Sequence, residues 1–379
     1  MMIIHIVYQT KFYQKSIMAL WLSALIMIVT ANLIQGSFHL TFVEPIIAEK
    51  VSYYYDAVNI VNWHNFITSF NGIQAGLHTH SMTHPPGAVL LYLICMLNKS
   101  AISISLLFTI ISSFSIILIY YIFKEIGLDN NKSYFFALLY SVIPSFNIYA
   151  LASFDAVVLV FMNLFLLGLI KIIKKDNLTP IGLMLMSAGI LITSALTFAV
   201  VFIFGVLMFL SLYYISKKKT VIFIASLIIV FLELVFYFLL YKILNFNYLQ
   251  SFVLATKLEN PHGFLLSANP AQYILSRIED MLEILIFISL PVLVAIRDNK
   301  TYKNIKKDIM IISITAFTVL IIEFLTGAYR TGETARACVF IITYIILLIS
   351  DLDSNIYGQV IVLTALQTGL MQLIGNYYW

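Results

Sequence analysis

The stretch SIMALWLSALIMIVTANLIQ, residues 16–35, carries no charged side chain from its first residue to its last. A helix needs about 20 apolar residues to cross a hydrocarbon layer about 30 Å thick, so this stretch predicts a membrane span. A short basic segment precedes it, as in a signal peptide, but the run is long and no A-x-A-like cleavage site follows. We therefore expect a retained first transmembrane helix.

The rest of the 379-residue chain has the same character. Hydrophobic residues make up 61% of it and charged residues 11%, and the mean hydropathy is +0.97. Soluble domains are about half apolar and about a quarter charged. The composition predicts an all-α polytopic membrane protein with a single integral membrane domain over residues 1–379, which leaves no room for a separate soluble domain.

Apolar runs separated by short polar breaks predict about eleven transmembrane helices. Segment 86–98 is apolar but too short to cross, which favours a re-entrant or interfacial helix. If it did cross, every later basic cluster would lie on the opposite side of the membrane, so the charge distribution argues against a crossing. The expected spans lie near residues 16–36, 101–122, 133–150, 154–174, 179–196, 197–215, 220–243, 272–296, 308–327, 335–350 and 357–375.

The basic residues predict the orientation of these spans. Lys and Arg mark cytoplasmic loops, and this threading sorts most of the 22 Lys and Arg residues onto one side. They cluster near residues 11–15, 124–132, 171–175, 217–219 and 297–307. We expect a multi-pass protein of the cell membrane with a cytoplasmic N-terminus.

Reactive side chains gather on the opposite, external side, in loops 37–100, 244–271 and 327–337. This asymmetry predicts an active site on the extracytoplasmic face. The histidines expected there are His39, His64, His78, His80, His84 and His262, and the acids are Glu44, Glu49, Asp56, Glu259 and Glu333, together with Asp155 at the head of the fourth span.

Several of these residues form a familiar pattern. Asp56 in SYYYDAV precedes the motif HPPG, residues 84–87, by 28 positions; Asp155 heads the fourth span, and YRTGETAR follows at 329–336. The layout resembles the GT-C fold of polyprenyl-phosphate-sugar-dependent membrane glycosyltransferases, which includes protein O-mannosyltransferases, aminoarabinose transferases and bacterial RgtA/B/C/D-like proteins. The chain lacks the acidic doublet that this family usually has early in the first loop. Asp56 and Glu44 therefore both stay candidates for the catalytic acid.

The chemistry that the resemblance implies needs a base and cations. A carboxylate takes the proton of the acceptor hydroxyl as its oxygen attacks the anomeric carbon, and cations stabilise the departing phosphate. We expect Asp56 or Glu44 to be this base and Arg330 and Arg336 to bind the donor phosphate, since a guanidinium matches phosphate oxygens. His84, held by Pro-Pro at the start of a helix, is expected to donate to the same oxygens. The expected supporting residues are Asp155, Glu333, His80 and Tyr53.

Other interpretations of the same residues stay open. His78, His80 and His84 form H-x-H-x3-H, a pattern compatible with zinc or another divalent metal ion, although Pro85 and Pro86 interrupt a continuous helix. An acid at position 155 is also favourable as a cap of the fourth span. The arginines of the 327–337 loop also suit a solvated turn with a local ion pair.

The sequence thus predicts a membrane glycosyltransferase with a polyprenyl-phosphate sugar donor and a glycan, lipid or protein acceptor. Membrane lipids would surround it, and no nucleic-acid partner is expected. A transporter or flippase of lipid-linked saccharides is the alternative, but transporters gather charges near the bilayer midplane and often carry repeats, whereas here the polar groups collect at one face. A surface polysaccharide polymerase or ligase would also perform glycosyl transfer.

Overall fold

The computed structural model of the chain describes residues 7–48, 52–261, 263–298, 307–329, 332–375 and 377. Every regular element in these ranges is a helix, so the predicted all-α architecture is confirmed. The α-helices are α1 Ile17–Asn32, α2 Phe38–Phe42, α3 Glu44–Ile47, α4 Tyr53–Val58, α5 Trp63–Ile73, α6 Thr79–Met82, α7 Pro86–Cys95, α8 Ala101–Ile126, α9 Asn130–Val142, α10 Pro144–Tyr149, α11 Phe154–Lys175, α12 Pro180–Leu196, α13 Val200–Ser216, α14 Val221–Leu244, α15 Tyr248–Glu259, α16 Leu265–Ala268, α17 Pro270–Ile288, α18 Leu290–Asp298, α19 Lys307–Leu325, α20 Thr334–Ala337, α21 Ile341–Ile346 and α22 Tyr357–Ile374. The 3-10 turns are Phe12–Gln14, Gln74–Gly76, Leu97–Lys99, Leu347–Ile349 and Ser354–Ile356.

Five helical segments of the described chain are long and apolar enough to cross a membrane. Shorter apolar helices, α1, α7, α12 and α13, accompany them. The chain is therefore a helical protein with multi-pass membrane character. The five segments are Ala101–Ile126, Phe154–Lys175, Val221–Leu244, Lys307–Leu325 and Ser354–Ile374.

Three of the expected continuous spans are broken. The span expected at 133–150 is split into α9 and α10 at Pro144, because proline lacks an N–H and favours the first position of a new helix. The span expected at 272–296 is split into α17 and α18 at Ser289, which has a φ of 93° and precedes Leu290-Pro291. The span expected at 335–350 is divided into α20, α21 and a 3-10 turn.

The segment expected as the first long loop, residues 37–100, is folded into short helices. It contains α2 to α7, and the apolar segment expected at 86–98 forms the short helix α7 from Pro86 to Cys95. Gly87 lies directly against the carbonyl oxygen of Ala195 in α12, where no Cβ would fit. This close approach fixes α7 against the helix bundle and sets the position of the HPPG motif.

Helix α11 lies at the centre of the bundle, packed between α8 and α12. Glycines allow its close contact with α12: a Cβ on Gly168 would come within 2.5 Å of the carbonyl oxygen of Gly182. Its 22 residues span about 33 Å at 1.5 Å per residue, which matches the hydrocarbon thickness. α11 is therefore the element that connects the two ends of the bundle.

The two ends of α11 carry different charges. At its C-terminal end, the ammonium of Lys171 lies 2.5 Å from a carboxylate oxygen of Glu125, and Lys174 lies 3.7 Å from the other oxygen. At its N-terminal end, Asp155 occupies the first turn. Basic residues and Asp155 thus lie at opposite ends of one membrane-length helix.

Candidate functional site

A cavity of about 700 Å³ lies at the Asp155 end of α11. It is enclosed by α11, by short helices of the first loop, by α15, and by the segment that runs from α19 to α20. Seven of the residues singled out in the sequence line it, namely Tyr53, His80, His84, Asp155, Glu259, Glu333 and Arg336. The structure therefore brings together residues from three separate predicted loops.

Arg336 is the cation at the centre of this group. Its Nε lies 3.3 Å from Oδ2 of Asp155, and its Nη2 donates to Oε2 of Glu333 at 2.7 Å. Burial by itself lowers the pKa of Arg336, but the charges of Asp155 and Glu333 outweigh burial and raise it. Arg336 is therefore a permanent cation with its side chain only 15% exposed.

Helix α17 holds the short helix that carries Arg336. The first amide N–H groups of a helix lack partners within that helix. In α20, the carboxylate of Glu283 accepts hydrogen bonds from the N–H groups of Thr334 at 3.3 Å and Ala335 at 3.0 Å. The hydroxyl of Thr334 also donates to Oδ1 of the fully buried Asp280 at 2.5 Å. These two carboxylates set the position of α20, and with it that of Arg336.

Arg277 of α17 binds the segment that precedes α20. Its guanidinium donates to the carbonyl oxygens of Phe324, Ala328 and Tyr329 at 3.2, 2.8 and 3.3 Å, and pairs with Asp280 at 3.1 Å. Arg277, Asp280 and Glu283 lie near the start of the span expected at 272–296, where ionisable groups should face a cavity or a partner, but they are not among the expected site residues. The signal that identifies them is their three-residue spacing, which places charges on one face of an otherwise apolar helix.

Tyr53 lies in a cluster of aromatic rings beside the ion pair of Arg336 and Asp155. Its ring centroid lies 5.7 Å from that of His80, 5.4 Å from that of His84 and 5.0 Å from that of Phe154. Burial, reinforced by the charge of Asp155, raises the pKa of Tyr53 well above its ordinary value. Tyr53 is thus a neutral phenol that can donate a hydrogen bond.

His84 is a neutral hydrogen-bond acceptor. Its Nδ1 lies 2.9 Å from the carbonyl oxygen of His80, which can only accept, so Nδ1 carries the proton and Nε2 is left as an acceptor. Burial and then the neighbouring His80 lower the pKa of His84 to about 3. This geometry does not support the expected role of His84 as a donor to phosphate, because that role needs a proton on Nε2.

The two acids expected to act as the base lie elsewhere. Asp56 accepts the backbone N–H of His78 at 3.0 Å and binds its Nδ1 at 2.9 Å. Glu44 lies 3.3 Å from Nδ1 of the exposed His39. Neither Asp56 nor Glu44 is among the described residues that line the cavity. Of Asp56, Glu44 and Asp155, only Asp155 lines the cavity.

The three-histidine metal site finds no support in the described ranges. No group of three or more His, Cys, Asp and Glu side chains there is arranged to hold a metal ion. His78 is engaged by Asp56, and Nδ1 of His84 is engaged by a carbonyl oxygen. Of the other expected residues, Arg330, Glu49 and His262 lie outside the described residues.

The remaining wall of the cavity is largely apolar and is formed by α11, by α13 and by the turns that precede α13 and α21. Further carboxylates, those of Glu259 and Glu323, line it near α15 and α19. The cavity therefore has a charged end around Arg336 and an apolar wall on the other side. The apolar lining includes Val158, Met162, Phe198, Val201 and Phe340.

Comparison with known proteins adds no relative to this geometry: no protein-family model, no curated protein and no solved structure matches the chain.

Proposed function

We propose that the chain is an integral membrane glycosyltransferase that moves a sugar from a polyprenyl-phosphate donor to an acceptor hydroxyl. One observation carries the proposal: the buried cation of Arg336 lies between two carboxylates at the polar end of a cavity whose other wall is largely apolar. A lipid-borne phosphate matches both halves of such a cavity, since a guanidinium binds phosphate oxygens and the apolar wall accommodates a hydrocarbon tail.

In the proposed reaction, the oxygen of the acceptor hydroxyl forms a bond to the anomeric carbon of the sugar. The bond between that carbon and the phosphate oxygen breaks, and its electron pair leaves with the phosphate. Asp155 takes the proton of the hydroxyl, and Arg336 stabilises the charge that develops on the phosphate. The hydroxyl of Tyr53 would donate to the sugar, and Nε2 of His84 would accept from one of its hydroxyls.

The charge asymmetry of α11 supports an outward-facing site. Lys171, Lys174 and Lys219 pair with acids at the end opposite to Asp155. Because basic residues mark the cytoplasmic side, the Asp155 end would face outward. The proposal thus includes a GT-C-like protein of about eleven spans with a cytoplasmic N-terminus and an extracytoplasmic active site, although several of these spans would be interrupted.

The proposal is tested with the full chain in nanodiscs and undecaprenyl-phosphate carrying a radiolabelled hexose or pentose. We expect transfer of label to an acceptor, and we expect Asp155→Asn and Arg336→Lys to abolish it. Asp56→Asn and Glu44→Gln are the matched controls and should retain most activity. Full transfer by the Asp155 and Arg336 variants would overturn the assignment of the site.

A transporter of lipid-linked saccharides is the second candidate, and Glu233 favours it. This carboxylate lies within the apolar helix α14 with 1% exposure, and the hydroxyl of Ser194 lies 3.0 and 3.1 Å from its two oxygens. Ionisable groups at membrane depth often mark transport pathways. Movement of a lipid-linked sugar across proteoliposomes without a covalent product, lost in Glu233→Gln, would favour transport.

A further inference from the structure

A second recess of about 620 Å³ lies outside the cavity, between α5 and the junction of α14 with α15. Every described residue that lines it is uncharged. Carboxamides and hydroxyls dominate its lining, together with the half-exposed ring of a tyrosine. The residues that matter for its chemistry are Thr68, Asn71, Tyr241, Asn245, Asn247 and Gln250.

Hydrogen bonds join the two walls of this recess. Asn71 donates from Nδ2 to the carbonyl oxygen of Asn247 at 3.0 Å and accepts the N–H of Asn247 at 2.8 Å. Asn245 donates to the carbonyl oxygen of Thr68 at 3.4 Å. Since these bonds already link α5 to the α14–α15 junction, the recess is formed before any ligand arrives.

Other polar groups of the recess are available to a ligand. The side-chain carboxamide of Gln250 and the hydroxyl of Tyr241 make no hydrogen bond to another described residue, and both side chains are exposed. Lys242 is not among the lining residues; its ammonium lies 5.7 Å from the centre of the Tyr241 ring. The recess therefore offers amide and hydroxyl groups beside an aromatic ring.

This set of groups matches a neutral sugar better than a charged ligand. Sugar hydroxyls both donate and accept hydrogen bonds, as carboxamides do, and the C–H face of a sugar ring packs on an aromatic face. A charged headgroup would lose water without gaining a partner of opposite charge from the lining residues.

The recess also lies next to the cavity, because two neighbouring segments, residues 71–80 and 247–252, contribute to the lining of both. Asn71 binds Asn247, and three residues further on Gln74 donates to the carbonyl oxygen of Ser251 at 3.1 Å. Beyond this bond, His80 from one segment and Phe252 from the other line the cavity. Along α15, the distance from Gln250 to Glu259 is about 14 Å at 1.5 Å per residue, a separation that a short oligosaccharide can bridge.

We propose that this recess binds a neutral glycan and that this glycan is the acceptor, its terminal unit reaching Asp155. The second half of this inference rests on the proposed transferase function, and the first half does not. Binding and transfer are therefore measured separately, so that the two can fail independently.

The test uses the full chain in nanodiscs and saturation-transfer NMR with neutral linear hexasaccharides of glucose, mannose, galactose and N-acetylglucosamine. We expect one of them to bind, and we expect Tyr241→Ala and Gln250→Ala each to weaken its binding about tenfold. Tyr121→Ala is the matched control, because Tyr121 is similarly exposed and does not line the recess. Arg336→Lys should leave glycan binding unchanged.

The outcomes separate the two proposals. Glycan binding that depends on Tyr241 and Gln250, without transfer from any lipid donor, would support the glycan site and overturn the transferase. Failure of every hexasaccharide to bind, or equal binding by wild type and both recess variants, would overturn the glycan site. Displacement of the glycan by glycerophosphate would assign the recess to lipid headgroups and overturn the proposal as well.

Discussion

In the proposed transfer reaction, Asp155 and Arg336 are the residues on which the rate depends most. Asp155 lies 3.3 Å from the guanidinium, in the first turn of a membrane-length helix. A general base contributes typically 10²- to 10⁴-fold to a rate, so Asp155→Asn should lower kcat by at least about 100-fold. Steady-state transfer assays measure this loss, with Asp56→Asn as the control that retains activity.

His84 should make stability depend on pH in a defined window. Its pKa is about 3 in the folded chain and about 6.5 in an unfolded one, so the unfolded state binds more protons between these values. The contribution of the neutral imidazole is therefore fully present above about pH 6.5 and is lost as the pH falls toward 3. Thermal unfolding in detergent from pH 7 to pH 4 should show a steeper decline for wild type than for His84→Asn. Parallel declines would contradict this account.

At the scale of elements, α17 and α20 should act as one unit. Glu283 accepts the first two amides of the helix that carries Arg336. Leaving buried donors unpaired costs about 1–3 kcal/mol, so Glu283→Ala should displace α20 and lower kcat about tenfold or more. Each carboxylate oxygen of Glu283 accepts one of the two amides, so Glu283→Gln keeps an acceptor for only one of them and should restore part of the activity. Equal impairment of the alanine and glutamine variants would contradict a separate contribution of each hydrogen bond.

The packing of α11 against α12 provides a second test at this scale. Gly168→Ala would place a Cβ within 2.5 Å of a backbone oxygen, and overpacking of this kind costs about 1–3 kcal/mol. Gly369→Ala in α22 is the matched control, because no atom lies within 4 Å of its added Cβ. We expect a lower unfolding temperature for Gly168→Ala only. A similar change in both variants would argue against close α11–α12 packing.

The elements differ in how well the sequence predicts them. Long apolar runs predict α8, α11, α14 and α19 well, because membrane spans need little more than length and hydropathy. Pro144 marks a break that local sequence can reveal. The division of residues 334–349 into short helices has no such signal, since that stretch contains neither proline nor glycine and its first turn is held by Glu283 of a distant helix.

For the candidate site, the sequence predicts which residues come together but not which acid lies in the cavity. The expected grouping of Tyr53, His84, Asp155 and Arg336 agrees with the cavity, because the segments that carry them all meet at one end of the bundle. The sequence makes Asp56 a candidate base beside Glu44, but both oxygens of Asp56 are bound by His78, a partner within the same loop. Such local pairing depends on side-chain geometry that spacing does not encode.

For the whole molecule, the central claim is that one end of the bundle holds a lipid-borne phosphate beside Asp155. The most direct measurement is a cryo-EM map of the full chain in nanodiscs with undecaprenyl phosphate. We predict phosphate density about 2.7–2.9 Å from the guanidinium of Arg336, with the prenyl chain along the apolar wall that includes Val158 and Phe340. Phosphate density at the opposite, lysine-bearing end of α11, or anywhere out of reach of Arg336, would contradict it.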